Sequence, residues 1–228
     1  MMTIQKLWSD LFVLLRRLYV RLFEGKKNPF LMLTHPSETL EDLKYKRNGS
    51  RFFATLLLLL FSVSAIIKEV ATGFIYTTLR IKDFNILIVL CTSGILVLLF
   101  VVGNWALCTL LNGEGRATDI YIMTCYNLTP LIISNFFTTI MSRVLVEDEF
   151  VFVNIIATCL SIWFVVLMFY GAMVIHNYTF WGTFFNLIMS LVAMAVIFFL
   201  IFLFVVLVQQ IYVFLITIYT ECRMRILG

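Results

Sequence analysis

The chain has 228 residues, of which 62% are hydrophobic and only 13% charged, with a formal net charge of +4 and a mean hydropathy of +1.01. No water-soluble core can absorb that much apolar surface, so the solvent for most of the chain is lipid, and the modest positive charge suits a membrane surface rather than nucleic acid. The cysteines (Cys91, Cys108, Cys125, Cys159, Cys222) are odd in number and mostly lie inside apolar runs, which excludes a disulfide framework and leaves them as small hydrophobes.

Residues 1 to 24 place Ile4, Leu7, Trp8, Leu11, Leu15, Leu18 and Leu22 at helical spacing, interrupted by Lys6, Asp10, Arg16, Arg17 and Arg21. That pattern predicts an amphipathic helix lying in the membrane interface rather than a span, and it lacks the small-residue cleavage site of a signal peptide. Gly25 to Pro29 break it. A second short helix is predicted from about Ser37 to Lys46, opened by Pro36, with Glu38, Glu41 and Asp42 early and Lys44, Lys46 and Arg47 late, the order the helix dipole favours. His35, with no His or Cys nearby, reads as the residue that leads into this helix. Residues 1–50 thus form an interfacial segment and 51–228 a membrane domain.

Five spanning helices follow, at about 52–71, 85–111, 120–141, 151–175 and from 184 onward, each near or above the roughly 20 residues that cross the hydrocarbon. The expected fold is therefore an all-α integral membrane protein of five transmembrane helices preceded by amphipathic interfacial helices. Pro130 falls in the third span and removes a backbone donor there, so neighbouring Ser, Thr or Asn groups must satisfy the freed carbonyls. Phe184 to Tyr219 run almost unbroken for about 54 Å of helix, which predicts one crossing followed by a helical extension. A reversal near Gln209-Gln210 would add a sixth crossing, without a Gly or Pro to support it. Ten Lys and Arg precede the first span, which places the N-terminus on the cytoplasmic side.

Between the second and third spans stands a short polar hinge, Asn112-Gly113-Glu114-Gly115-Arg116, followed by Asp119 at the start of the next helix. The glycines are expected to supply positive backbone angles for a tight turn, and the charges keep it at headgroup level. The order Asn104-Trp105, Gly113-Glu114-Gly115, Asp119-Ile120-Tyr121 and Thr129-Pro130, then His176-Asn177-Tyr178, resembles the bacterial branch of the Yip (Ypt-interacting protein) membrane-domain family from about His35 onward. Asn112 and Asn177 stand where members of that branch commonly carry Asp. The resemblance implies a multispan protein of the bacterial cell membrane. It also implies an accessory role, since members of that branch are often met beside carbohydrate ABC-transporter components.

Nothing in the chain spells a zincin helix, a nucleophile elbow or a phosphate loop, so no enzyme activity, metal or cofactor is expected. The leading expectation is a scaffold or accessory subunit that docks another membrane protein, or a second copy of itself, through Asn112, Gly113, Glu114, Gly115, Arg116, Asp119, His176, Asn177 and Tyr178. Turn and anchor chemistry accounts for the same residues. The rival readings are a small-solute permease or channel and a membrane-curvature protein. Of the intramembrane polar and kink residues Asn104, Tyr126, Asn127, Thr129 and Pro130, the permease reading would line its path with Tyr126, Asn127 and Pro130. Helix-to-helix hydrogen bonding explains all five with fewer requirements.

Overall fold

The computed structural model describes residues 31–46, 49–73, 85–110, 113–146 and 149–227. The predicted interfacial helix over residues 1 to 24, and Asn112, lie outside them. The described chain forms α1 (Leu31–Thr34), α2 (Pro36–Tyr45), α3 (Arg51–Ala71), α4 (Ile86–Leu110), α5 (Ala117–Asn127), α6 (Thr129–Met141), α7 (Phe150–His176) and α8 (Phe180–Leu227), with no strand among the described residues. Five helical stretches are long and apolar enough to cross a bilayer: α3, α4, α5 with α6, α7, and α8. The protein is an all-α integral membrane protein.

Helix α2 begins as its sequence dictates, with Pro36 in the first turn and Glu38 beside the N-terminal amides. Lys46 donates to Asp42 across one turn at 2.5 Å, and that hydrogen bond holds the Lys46 ammonium above its ordinary pKa. The apolar side of α2 does not lie in lipid. Leu40 and Leu43 are buried in one core with Met32 of α1, Ile120 and Met123 of α5 and Ile175 of α7. Helices α1 and α2, which lie within the segment that reads as interfacial, are therefore docked on the end of the bundle.

The third span is the axis of that bundle and the most enclosed of the five. It is two helices, broken at Leu128, whose amide turns to the Cys125 carbonyl at 3.3 Å, three residues back, and toward the Tyr126 carbonyl. Pro130 has no N–H to give the Tyr126 carbonyl one turn back; the Thr129 hydroxyl donates to it instead, at 2.6 Å. This is the local repair that a proline in lipid demands. On one side α3 runs alongside in parallel: Thr55 Oγ1 lies 3.1 Å from Tyr121 Oη, Asn135 donates to Ser64 Oγ at 3.1 Å, and the Gly73 amide donates to Ser142 Oγ at 3.2 Å.

Helix α4 is apolar almost all round, yet Ser93, Val97, Val101, Asn104 and Cys108 are buried at helical spacing. Its stripe meets α3 through Ser62 and Ser93, whose hydroxyls are 2.6 Å apart, and meets α8 at Gly103. A Cβ there would stand 3.3 Å from the Met194 backbone nitrogen, the close approach that small residues allow between helices in lipid. Helix α8 continues through Gln209-Gln210 without reversal, so the sixth crossing is not formed. Its 48 residues reach about 72 Å, and from Phe198 to Arg225 every side chain but Val206 is exposed.

Candidate functional site

Two connections meet at one end of the bundle: residues 113–116, between α4 and α5, and Asn177 to Thr179, between α7 and α8. Beneath them lies a buried polar hub. Asn104 and Cys108 are four residues apart and share one face of α4; His176 ends α7; Asn186 and Ser190 share one face of α8. His176 Nε2 is 2.6 Å from Asn104 Oδ1, the Asn104 amide donates to Ser190 Oγ at 2.9 Å, and Ser190 donates to the Asn186 carbonyl at 2.7 Å. On the other side of the ring, His176 Nδ1 is 3.2 Å from Cys108 Sγ, which lies 3.6 Å from the Gly115 carbonyl.

The orientation of the Asn104 amide decides the imidazole tautomer. With its NH2 committed to Ser190, Asn104 presents only oxygen to His176, so Nε2 carries the proton and donates. In a neutral ring Nδ1 then accepts, and the Cys108 thiol, having one hydrogen, serves either Nδ1 or the Gly115 carbonyl. The hub thereby joins α4, α7, α8 and the turn in a medium where each unpaired polar group costs several kcal/mol. Cys108, His176 and Asn104 are residue types that elsewhere build thiol nucleophiles. Here Cys108 is 1% and His176 2% exposed, under Gly113, Gly115 and Tyr178, so a substrate has no approach to Sγ.

Gly113 and Gly115 were expected to provide positive φ, and the structure corrects this: no described glycine has positive φ. They are glycines because side chains fill the space their Cβ atoms would need. A Cβ on Gly113 would collide with Tyr178 Oη and with Cys108 Sγ, and one on Gly115 would lie 2.5 Å from the His176 ring. The left-handed residue is Asn177, at φ 59 and ψ 36, closing α7 with a conformation that Asn tolerates. That turn lays Tyr178 on His176, with ring centroids 5.3 Å apart and planes 20° from parallel. Burial pushes the Tyr178 phenol above its ordinary pKa, and the neighbouring Cys108 adds to the shift.

Among the other residues singled out from sequence, Glu114 is exposed and pairs with Lys44 of α2 at 3.4 Å, fastening the turn to the docked segment. Arg116 is the exposed residue before α5, and Asp119 lies in the first turn without making a capping bond. Arg116 and Asp119 sit beside the hub rather than in it, along a hollow shared with Leu43, Gly49 and Arg51. Glu114, Arg116 and Asn177 face outward, whereas His176 lies behind that surface. In the span, Asn127 is wholly buried and donates to the Leu167 carbonyl of α7 at 3.1 Å, and Tyr126 is 2% exposed.

Sequence reasoning missed Cys108, Lys44 and Ser190 as partners. The available signal for the hub was Asn104 and Cys108 four residues apart on one face of an otherwise apolar helix, and the hydroxyl of Ser190 in another.

Compared with known proteins, residues 30–204, well over half of the chain, match the family model described as the Yip1 domain. No curated protein matches the chain, and no solved structure does.

Proposed function

The chain belongs to the Yip1 domain family, and from that premise we propose that it is a non-enzymatic scaffold or accessory subunit of a bacterial cell membrane. It docks another membrane complex, with a carbohydrate ABC transporter as the first candidate. One observation carries this reading. The turn bearing Glu114 and Arg116 is locked from beneath by the His176 hub and from the side by Lys44, so its outward charges are presented on a rigid base. Rigid presentation lowers the ordering cost of binding a partner. The ten Lys and Arg up to and including Arg51, where the first span begins, support a cytoplasmic orientation for this face.

The permease reading draws no comparable support. Asn127 donates to Leu167 within a helix-to-helix contact, and Thr129 repairs the break at Pro130. These polar groups are spent on the bundle itself.

The test is mild solubilisation from native membranes, purification through a C-terminal tag, and crosslinking from a photoreactive residue placed at position 114. The expected result is one membrane protein in near-stoichiometric amount, crosslinked at that position and lost on Arg116→Glu. Recovery of the chain alone, with no crosslink, removes the docking reading.

A further inference from the structure

Where α2, α3 and α5 meet there is a cavity of about 180 Å³ lined by Leu43, Gly49, Arg51, Arg116, Thr118 and Asp119. Arg51 begins the first span and Arg116 immediately precedes the third. Successive spans alternate in direction, so both residues stand at the same membrane face, at the depth of the lipid headgroups. The two arginines come from different elements and line the same small hollow. Among the described residues neither has a carboxylate within ion-pairing distance, although Asp119 lines the cavity with them.

Two unpaired guanidinium groups at headgroup depth suit a phosphate, which accepts paired hydrogen bonds from the guanidinium fork. The hydroxyl of Thr118 donates to Asp119 at 3.4 Å, leaving its oxygen able to accept. The Asp119 carboxylate adds a site of opposite sign, one that a bare phosphate has no use for but that a headgroup carrying both phosphate and ammonium fits. Leu43 of the docked helix supplies an apolar wall against which the glycerol end can rest.

We infer that the cavity between Arg51, Arg116 and Asp119 binds the headgroup of a single phospholipid, its phosphate on the two arginines and its ammonium, in phosphatidylethanolamine, on Asp119. This stands apart from the docking reading, because it is tested on purified protein without a partner.

The experiment uses the full chain in nanodiscs of equal phosphatidylethanolamine and phosphatidylglycerol, released into mild detergent and weighed by native mass spectrometry. One retained phospholipid is expected, enriched in the ethanolamine form. Retention falls at least about tenfold in R51Q/R116Q, as loss of charge-assisted bonds requires. D119N keeps a lipid but loses the preference for ethanolamine over glycerol, and R225Q, at the far end of α8, behaves as the unaltered protein.

Equal retention by R51Q/R116Q and the unaltered protein overturns the site. So does an equal loss in R225Q, which would mark unspecific attraction, or release of the lipid by millimolar inorganic phosphate, which would make free phosphate the ligand. If D119N keeps the ethanolamine preference, the assignment of the ammonium is wrong. Should the double variant not fold, R116Q alone carries the test, since Arg116 is exposed; unchanged retention there is equally fatal.

Discussion

His176 Nε2 lies 2.6 Å from Asn104 Oδ1, joining the end of α7 to the last turns of α4 inside the bundle, and the same Asn104 side chain passes the connection to Ser190 of α8. Three helices therefore share one amide. Asn104→Ala should leave the His176 N–H and the Ser190 hydroxyl short of partners and cost about 1–3 kcal/mol. In a double-mutant cycle, Asn104→Ala and His176→Ala should fall short of additivity, because each already breaks the same bond. Thermal unfolding in nanodiscs reads both; full additivity would show that the two side chains act separately.

The glycines of the turn make a sharper case, because their φ values are ordinary and only space is at issue. Gly115→Ala drives a methyl into the His176 ring, and Gly113→Ala drives one into Tyr178 Oη and Cys108 Sγ. Each should destabilise by about 1–3 kcal/mol. Gly94 of α4 has nothing within 4 Å of its Cβ position, so Gly94→Ala should be neutral or slightly stabilising. Tyr178→Phe removes the nearest atom that the new methyl meets and should recover part of the Gly113→Ala loss. No recovery would mean that Cys108 is the obstacle.

At the break in the third span, Thr129→Val removes the hydroxyl that serves the Tyr126 carbonyl and should cost about 1 kcal/mol. The same substitution made with Pro130→Ala should cost less, because residue 130 then has a backbone N–H for that carbonyl. Equal costs in the two backgrounds would contradict the repair described above.

Cysteine reactivity follows burial. Cys222 is exposed near the end of α8, whereas Cys108 and Cys125 are buried. In the folded protein a charged, membrane-impermeant maleimide should label Cys222 and spare Cys108 and Cys125 until the protein is denatured. Five crossings put Cys222 on the membrane side opposite the start of α3, so the reagent should reach it from that side alone. Labelling of native Cys108 at the rate of Cys222 would refute the closed hub.

Hydropathy alone located the five spans to within a few residues, because apolar stretches of that length have no other stable solvent, and Pro130 announced the broken third helix, because a missing N–H is a property of the residue itself. The carbonyl it frees had to be met, and Thr129 is the adjacent group that meets it. The charge order in α2 was equally legible, since the helix dipole acts within one turn. What the sequence could not decide was which side chains meet across helices. Cys108, counted among the small hydrophobes, and Ser190, eighty-six residues beyond Asn104, become partners of one hub only after α4, α7 and α8 have packed. The turn glycines teach the same point: their type was readable, but the reason for it is a tyrosine and a histidine arriving from the far end of another helix. Local rules acted within a few residues of chain, whereas burial and close approach depended on neighbours that only the tertiary fold supplied.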